Sequence, residues 1–186
     1  MKLSSFVNIS DVFKKHFEIL DLRNSNKNKW TFIALPIICG LLCSFIFFKW
    51  TESVLNIFGV VLSIFVPLFM NLLVLLITTI INKIETRHNK ERMDLIKETF
   101  YNICYLIPLS LSLIGILLLL SINPFKGVYF FESQFIDMDL NQVYILLIGT
   151  IFYSGFTHLV MTILMITKRM FKLFDREIDL LSNEEK

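Results

Sequence analysis

Four stretches of this 186-residue chain, Thr31 to Phe48, Ser53 to Ile81, Ile103 to Ile122 and Val143 to Thr167, contain no Asp, Glu, Lys or Arg. Each is near or above the roughly 20 residues that cross a hydrocarbon layer. Lipid offers no hydrogen-bond partner to a bare amide or carbonyl, so a spanning segment is either a helix or a strand of a closed barrel. The short alternating segments of a barrel do not occur, and the expected fold class is all-α: a four-helix transmembrane bundle. Composition agrees, because the 55% of hydrophobic residues, with 19 Phe among them, sit in blocks instead of at the spacing of a soluble core. On this reading residues 1–30 are a cytoplasmic amphipathic segment and 31–167 form the bundle. The latter includes a cytoplasmic loop at 82–102 and an outer loop at 123–142, and 168–186 are a cytoplasmic tail.

Trp30 and Trp50 bracket the first span. Their separation along a helix is about 30 Å, the thickness of the hydrocarbon layer, which makes them interfacial anchors. Orientation follows from the basic residues. Six precede the first span (Lys2, Lys14, Lys15, Arg23, Lys27, Lys29), five lie in the middle loop (Lys83, Arg87, Lys90, Arg92, Lys97) and five follow the last span. Only Lys49 and Lys126 fall on the other side, so both termini are expected in the cytoplasm. The net charge of +2 averages that basic side with an outer loop carrying Glu132, Asp137 and Asp139, and no nucleic-acid footprint emerges. The first residues lack the apolar core of a cleavable signal, so the first span is expected to direct insertion. Cys39, Cys43 and Cys104 form no CxxC and no metal-spaced set, and read as small packing residues.

Outside the lipid, "NISDVFKKHFEILDL" repeats Ile9, Phe13, Phe17 and Leu20 at three- and four-residue steps, with Ser10 or Asp11 placed to cap the helix. This amphipathic helix either lies on the inner leaflet or packs on a neighbouring subunit. The second span would reach roughly 42 Å as a helix, long enough to tilt or to project into the cytoplasm. Met93, Ile96, Phe100 and Ile103 resume a helical period that runs into the third span, and Met170, Phe174 and Leu181 extend the fourth helix as a stalk. Three amphipathic pieces on one side make a docking surface for a protein partner, with Phe13, Phe17, Arg87, Arg92 and Phe174 as its candidate contacts. The outer "NPFKGVYFFESQFIDMD" combines turn residues with aromatics that either sit at the lipid interface or touch something outside.

Each span carries small or polar residues at a four-residue step: Pro36, Gly40, Ser44; Gly59, Ser63, Pro67, Asn71; Cys104, Pro108, Ser112; Thr150, Ser154, His158, Thr162. Such rows form one ridge of a helix and let backbones approach, so they are expected to be helix-to-helix seams. Counted from the cytoplasmic ends, Gly40, Asn71, Ser112 and His158 share a depth, which suggests a small intramembrane polar layer. His158 is the one histidine in the spans, which hold no Asp, Glu, Lys or Arg. It is either a neutral packing residue, with Asn71 its best-placed partner, or a proton-sensitive gate.

No Asp or Glu lies in a span, which excludes a carboxylate relay. His88 and Glu91 form an isolated H-x-x-E without further ligands, so neither an enzyme nor a metal or cofactor is expected. The functional expectation is a small membrane subunit that self-associates and passes a membrane state to, or anchors, a cytoplasmic protein partner. The rival is an oligomeric channel or membrane-permeabilising effector lined by the hydroxyl rows. Four spans, both ends inside, the "NISDVFKKHFEILDLRNSNKNKW" entry and the basic "NKIETRHNKERMDLIKETF" loop together resemble the membrane subunit of the bacterial Kiwa anti-phage defence system. The resemblance implies an inner-membrane homo-oligomer that responds to phage attack and works with a cytoplasmic DNA-binding subunit.

The predicted topology has a direct check. Single cysteines placed at residues 5 and 183 should react with an impermeant maleimide only after the inner membrane is opened, and labelling of either one in intact spheroplasts would reverse the assignment.

Overall fold

A computed structural model describes residues 9–22, 26–47, 50–82, 90–122, 129–133 and 136–184. In chain order its elements are α1 (Ile9–Leu22), α2 (Asn26–Ile46), α3 (Glu52–Asn82), α4 (Lys90–Ser121), β1 (Tyr129–Ser133), β2 (Ile136–Asp139) and α5 (Leu140–Glu184). The protein is helical, as its apolar blocks require. Between α4 and α5, β1 and β2 pair antiparallel with a register irregularity between Tyr129 and Phe131, an element the reading of that segment as a loop did not include. Its aromatic and β-branched composition suits a strand, since such side chains fit a pleated surface.

Three helices contain stretches long and apolar enough to cross a membrane: Glu52–Thr78, Met93–Ser121 and Asn141–Asp175. The expected first span is shorter, an apolar helix of Trp30–Ile46. Its end has a local cause. The chain turns at Phe47, whose N–H still reaches Cys43 O at 2.8 Å, and Thr51 starts α3 by accepting the Val54 N–H on its hydroxyl at 3.4 Å. Ser10 and Asp11, expected as caps, lie inside the first turn of α1. The predicted continuations hold: α4 begins at Lys90 and runs without a break through the third span, and α5 continues to Glu184.

The exposed surface is apolar over most of α2 and α3. Ile38, Leu42 and Phe45 are 55%, 57% and 67% exposed, and Ile57, Ile64 and Val74 are 63%, 57% and 58%. In water each such side chain would forgo about 1.5–3 kcal/mol of burial. Against acyl chains it forgoes none, so this surface is that of a protein whose solvent is lipid.

Contacts divide the chain into two compact units: Met1–Lys29 with Pro67–Pro108 and Val160–Lys186, and Trp30–Val66 with Leu109–Leu159. The divisions fall inside α3, α4 and α5, so each of those helices contributes a part to each unit. In the first unit, Phe69 and Leu76 of α3, Leu95, Ile96, Ile103 and Leu106 of α4, and Ile166 of α5 are buried. In the second, Leu62, Leu113, Leu117, Leu120, Phe152 and Leu159 are. Along α4 the buried residues Ile103, Leu106, Ser110, Leu113, Leu117 and Leu120 recur at three and four, the stripe of a helix held between neighbours.

Within the second unit, α2 and α5 run against each other by way of small residues. Pro36, Gly40 and Ser44 are all buried on one face of α2. A methyl group at Gly40 would stand 2.8 Å from the Ser154 N and Cβ and 2.9 Å from its Cα, closer than real carbon contacts come. Higher up, Ser44 donates its hydroxyl to Leu146 O at 3.0 Å, and the Cβ position of Gly149 faces both Ser44 Oγ at 3.3 Å and Trp50 Nε1 at 3.2 Å. Trp50 is thereby taken up by protein. Its ring meets Phe58, Phe152 and Tyr153 at centroid distances of 6.2, 5.4 and 5.0 Å, whereas Trp30 is 71% exposed.

The row expected on α3 does not pack. Gly59 is half-buried, with the nearest atom to its Cβ position being Leu117 Cδ2 at an ordinary 3.5 Å, and Ser63, Pro67 and Asn71 are exposed. Ser63 bonds its own helix, at Gly59 O, 2.7 Å away. The buried face of α3 is instead Leu62, Phe69 and Leu76, seven apart, so large side chains and not small ones set its contact. Several other hydroxyls also return to the carbonyl four residues back: Thr99 to Leu95, Thr150 to Leu146, Thr157 to Tyr153 and Thr167 to Ile163.

Gly40→Ala and Ser63→Ala separate the two kinds of row. The first should cost about 1–3 kcal/mol because backbone, not a flexible tip, must move. The second should stay within about 0.5 kcal/mol, as exposed substitutions do. Thermal unfolding in mild detergent reads both, and equal effects would contradict the seam.

Candidate functional site

The sequence singled out His158; the structure adds a second and more enclosed histidine. His158 Nδ1–H donates to the Phe32 carbonyl of α2 at 3.3 Å, and the side chain is half-buried. Its partner is therefore the backbone of the neighbouring helix and not Asn71, which is exposed. Ser112 is exposed as well, and the buried serine of α4 is Ser110. Of the expected polar layer, Gly40 and His158 lie on the one α2–α5 seam, while Asn71 and Ser112 face away from the packed surfaces of their helices. A depth count concerns position along a helix axis and carries no information on the direction around it.

Other members of the expected seams divide similarly. Ser154 meets Gly40, Thr150 is half-buried with its hydroxyl on its own helix, and Pro108 is half-buried. Thr162 is fully buried. Of the expected partner surface, Arg87 lies outside the described residues, as does the Arg92 side chain. Phe174 is 58% exposed. Phe13 and Phe17 are half-buried against Tyr105, with centroids at 5.0 and 6.4 Å, so part of each ring is engaged within the chain. By these rings α1 packs on α4 of its own chain.

That docking is built around His16. It sits three residues after Phe13 and three before Ile19, on the apolar face of α1, and its side chain is 0% exposed. The imidazole stacks on Tyr105 with centroids 3.9 Å apart and planes 5° from parallel. Its Nδ1–H donates to Asn102 Oδ1 at 2.8 Å, and Asn102 is itself fully buried. Asn102 and Tyr105 are three apart on α4 and so present carboxamide and ring to the same face. At the rim, Lys15 donates to the Tyr101 hydroxyl at 3.0 Å and stands 4.5 Å from that ring's centroid. The bond to Tyr101 lifts the Lys15 ammonium above the usual lysine range, so this contact is at full strength at neutral pH.

One turn before Asn102, Glu98 receives Arg169 of α5 at 3.3 Å, with side chains 21% and 9% exposed. A pair this enclosed contributes more to the choice of register than to net stability, since dehydration offsets most of its attraction. Thr99, between these residues on α4, is buried with its hydroxyl on Leu95 O. The first unit thus concentrates its polar groups where α1, α4 and α5 meet. Three such groups were overlooked in the sequence for a simple reason: His16, Asn102 and Arg169 each border an apolar run and were counted with the solvated side. Their signal was their helical phase, in step with Phe13, Thr99 and Ile166.

The arrangement holds helices together through buried polar contacts. Among the described residues no group of three His, Cys, Asp or Glu is gathered as a metal site. Cys39, Cys43 and Cys104 are free thiols, half-buried.

His158→Leu should leave the fold intact and change its stability by about 1 kcal/mol, because it removes the long bond to the Phe32 carbonyl. Detergent unfolding measures this, and a loss of several kcal/mol would show that His158 carries more of the seam than its bond to Phe32 suggests.

Comparison of the chain with models of protein families, with curated proteins and with solved structures finds no match, so the reading of this site rests on its own residues.

Proposed function

We propose that the chain is a four-span subunit of the bacterial inner membrane, with both ends in the cytoplasm, that assembles with copies of itself and couples the membrane to a cytoplasmic protein partner in defence against phage. The observation that carries this reading is the far end of α5. Phe171, Phe174 and Ile178 are 70%, 58% and 64% exposed and follow one another at three and four, a single apolar stripe. Lys168, Lys172 and Asp175 around them are exposed too. Along the helix, Ile178 lies about 52 Å from Val143, where the apolar run begins, against a hydrocarbon layer of about 30 Å. A tilt of about 20° shortens that reach by only a few Å. Acyl chains therefore do not cover the end of the stripe, and another protein surface is its natural cover.

The resemblance to the Kiwa membrane subunit supplies the rest of the proposal: a response to phage at the envelope and a partner that binds DNA, the chain itself making no direct contact with nucleic acid. No enzymatic step and no cofactor is assigned. Self-association is supported by Asn71, whose carboxamide lies on the exposed face of an otherwise oily α3, where a second copy would shelter it from lipid. Together with Ser63 it favours a second reading, an oligomeric pore with that row along its axis.

One expression experiment addresses both. Purified from its native host in mild detergent, the protein should co-elute with a cytoplasmic partner. Phe174→Asp combined with Ile178→Asp should reduce that partner at least about tenfold, the equivalent of about 1.4 kcal/mol, while insertion persists. Repeated elution alone overturns the proposal. Induction of the protein by itself should leave the membrane potential unchanged, and rapid depolarisation would favour the pore.

A further inference from the structure

We propose that α3 is the surface on which a second copy of this chain docks, the two α3 helices lying parallel with Asn71 opposite Asn71. The inference rests on the self-association proposed above and names the helix that carries it. In the first unit, Pro67, Asn71, Val74 and Thr78 of α3 are exposed and follow one another at steps of four, three and four. In the second unit, Ile57, Val60 and Ile64 are exposed at steps of three and four, in the same heptad phase. A repeat of 3.5 residues is that of paired helices, with Ile57, Ile64, Asn71 and Thr78 in the first heptad position and Val60, Pro67 and Val74 in the fourth. Leu62, Phe69 and Leu76, which the chain buries for itself, all occupy the sixth position, on the opposite side of the helix.

Acyl chains cover isoleucine and valine as well as protein does, so the oily positions alone do not choose their cover. Asn71 does. Thr78 and the neighbouring Ser63 return their hydroxyls to their own helix, at 2.9 Å to Leu75 O and 2.7 Å to Gly59 O. Among the described residues, the Asn71 carboxamide makes no hydrogen bond. At 1.5 Å per residue it lies about 27 Å from the Ser53 end of the apolar run and about 15 Å from the Ile81 end, so a hydrocarbon layer of about 30 Å encloses it wherever on the run that layer sits. Hydrocarbon offers neither a donor nor an acceptor.

A second copy answers that need by symmetry. A carboxamide is donor and acceptor at once, and across a two-fold axis along the membrane normal Asn71 meets its counterpart at identical depth, each Nδ2–H donating to the other Oδ1. A different protein would have to place a polar group at that level independently. A slip of one heptad would set one carboxamide against Ile64 and the other against Thr78, so the single Asn also fixes the register. Ile57, Val60, Ile64, Val74 and Thr78 are β-branched, and their side chains, already stiff in a helix, lose little freedom when a neighbour packs on them.

The test measures pairing of the full-length chain in phospholipid vesicles by energy transfer between labelled copies, over a series of protein-to-lipid ratios. Asn71→Leu should weaken pairing about tenfold, the scale of hydrogen bonds between helices in lipid, with unfolding in detergent unchanged. Asn71→Gln, which keeps donor and acceptor, should restore most of it. A second measurement does not depend on that variant: with Cys39, Cys43 and Cys104 changed to alanine, Val60→Cys and Val74→Cys should each cross-link between copies under oxidant, while Leu42→Cys on α2 and Leu118→Cys on α4, equally exposed, should not. Undiminished pairing of Asn71→Leu, or cross-links confined to α2 or α4, overturns the α3 contact and leaves self-association standing. A wild type that stays monomeric at every ratio overturns both. An ion flux through wild-type vesicles that Asn71→Leu abolishes would put the carboxamide on a water path and overturn the closed contact in favour of the pore.

Discussion

The approach of Gly40 to Ser154 sets what the second unit can be. With the Cβ position of Gly40 2.8 Å from Ser154 backbone nitrogen, α2 and α5 are as near as two helices carrying side chains elsewhere can come. Lipid tails are as oily as leucine, so helices in a bilayer gain little from hiding apolar surface and rely on contact density and hydrogen bonds. The close approach supplies both. It brings His158 within reach of the Phe32 carbonyl, lets Ser44 cross to Leu146 O, and leaves room beside Gly149 for the edge of Trp50. Around that indole, Phe58, Phe152, Tyr153 and Phe156 assemble mostly edge to face, a geometry that adds to simple area burial.

The first unit follows another rule. Its contacts of α4 with α1 and with α5 hold a histidine and an asparagine that are fully buried, a nearly fully buried threonine, and an ion pair whose arginine is 9% and glutamate 21% exposed. Such groups contribute little net stability when satisfied, yet each carries a penalty if its partner is misplaced. They therefore select one register among several that an oily interface would accept.

The helical class and the long apolar helices Glu52–Thr78, Met93–Ser121 and Asn141–Asp175 were readable from charge-free runs of about twenty residues or more. The continuations of α4 and α5 followed from ordinary amphipathic spacing at Met93, Ile96, Phe100 and Phe174. The facing of α3 was not readable. Lipid and core both accept Leu, Ile and Phe, so nothing in its composition distinguished Leu62, Phe69 and Leu76 from Ile57, Ile64 and Val74, and the row of Gly59, Ser63, Pro67 and Asn71 looked the more specific of the two. On α2 the same logic succeeded because Pro36, Gly40 and Ser44 recur at a four-residue step along one face of a helix otherwise rich in branched and aromatic chains. His16 escaped notice because a polar letter within an amphipathic pattern is assigned by default to water, although its place between Phe13 and Ile19 put it in the buried phase.

The hydroxyls that bond back to their own helices carry an evolutionary consequence. A threonine such as Thr157 or Thr167, satisfied by a carbonyl one turn earlier, asks nothing of any neighbouring helix. Lineages descending from this chain are free to exchange such positions for alanine or valine without disturbing assembly. Ser44, whose oxygen is shared with a carbonyl on another helix, has no such latitude, so the two classes of hydroxyl should drift at different speeds.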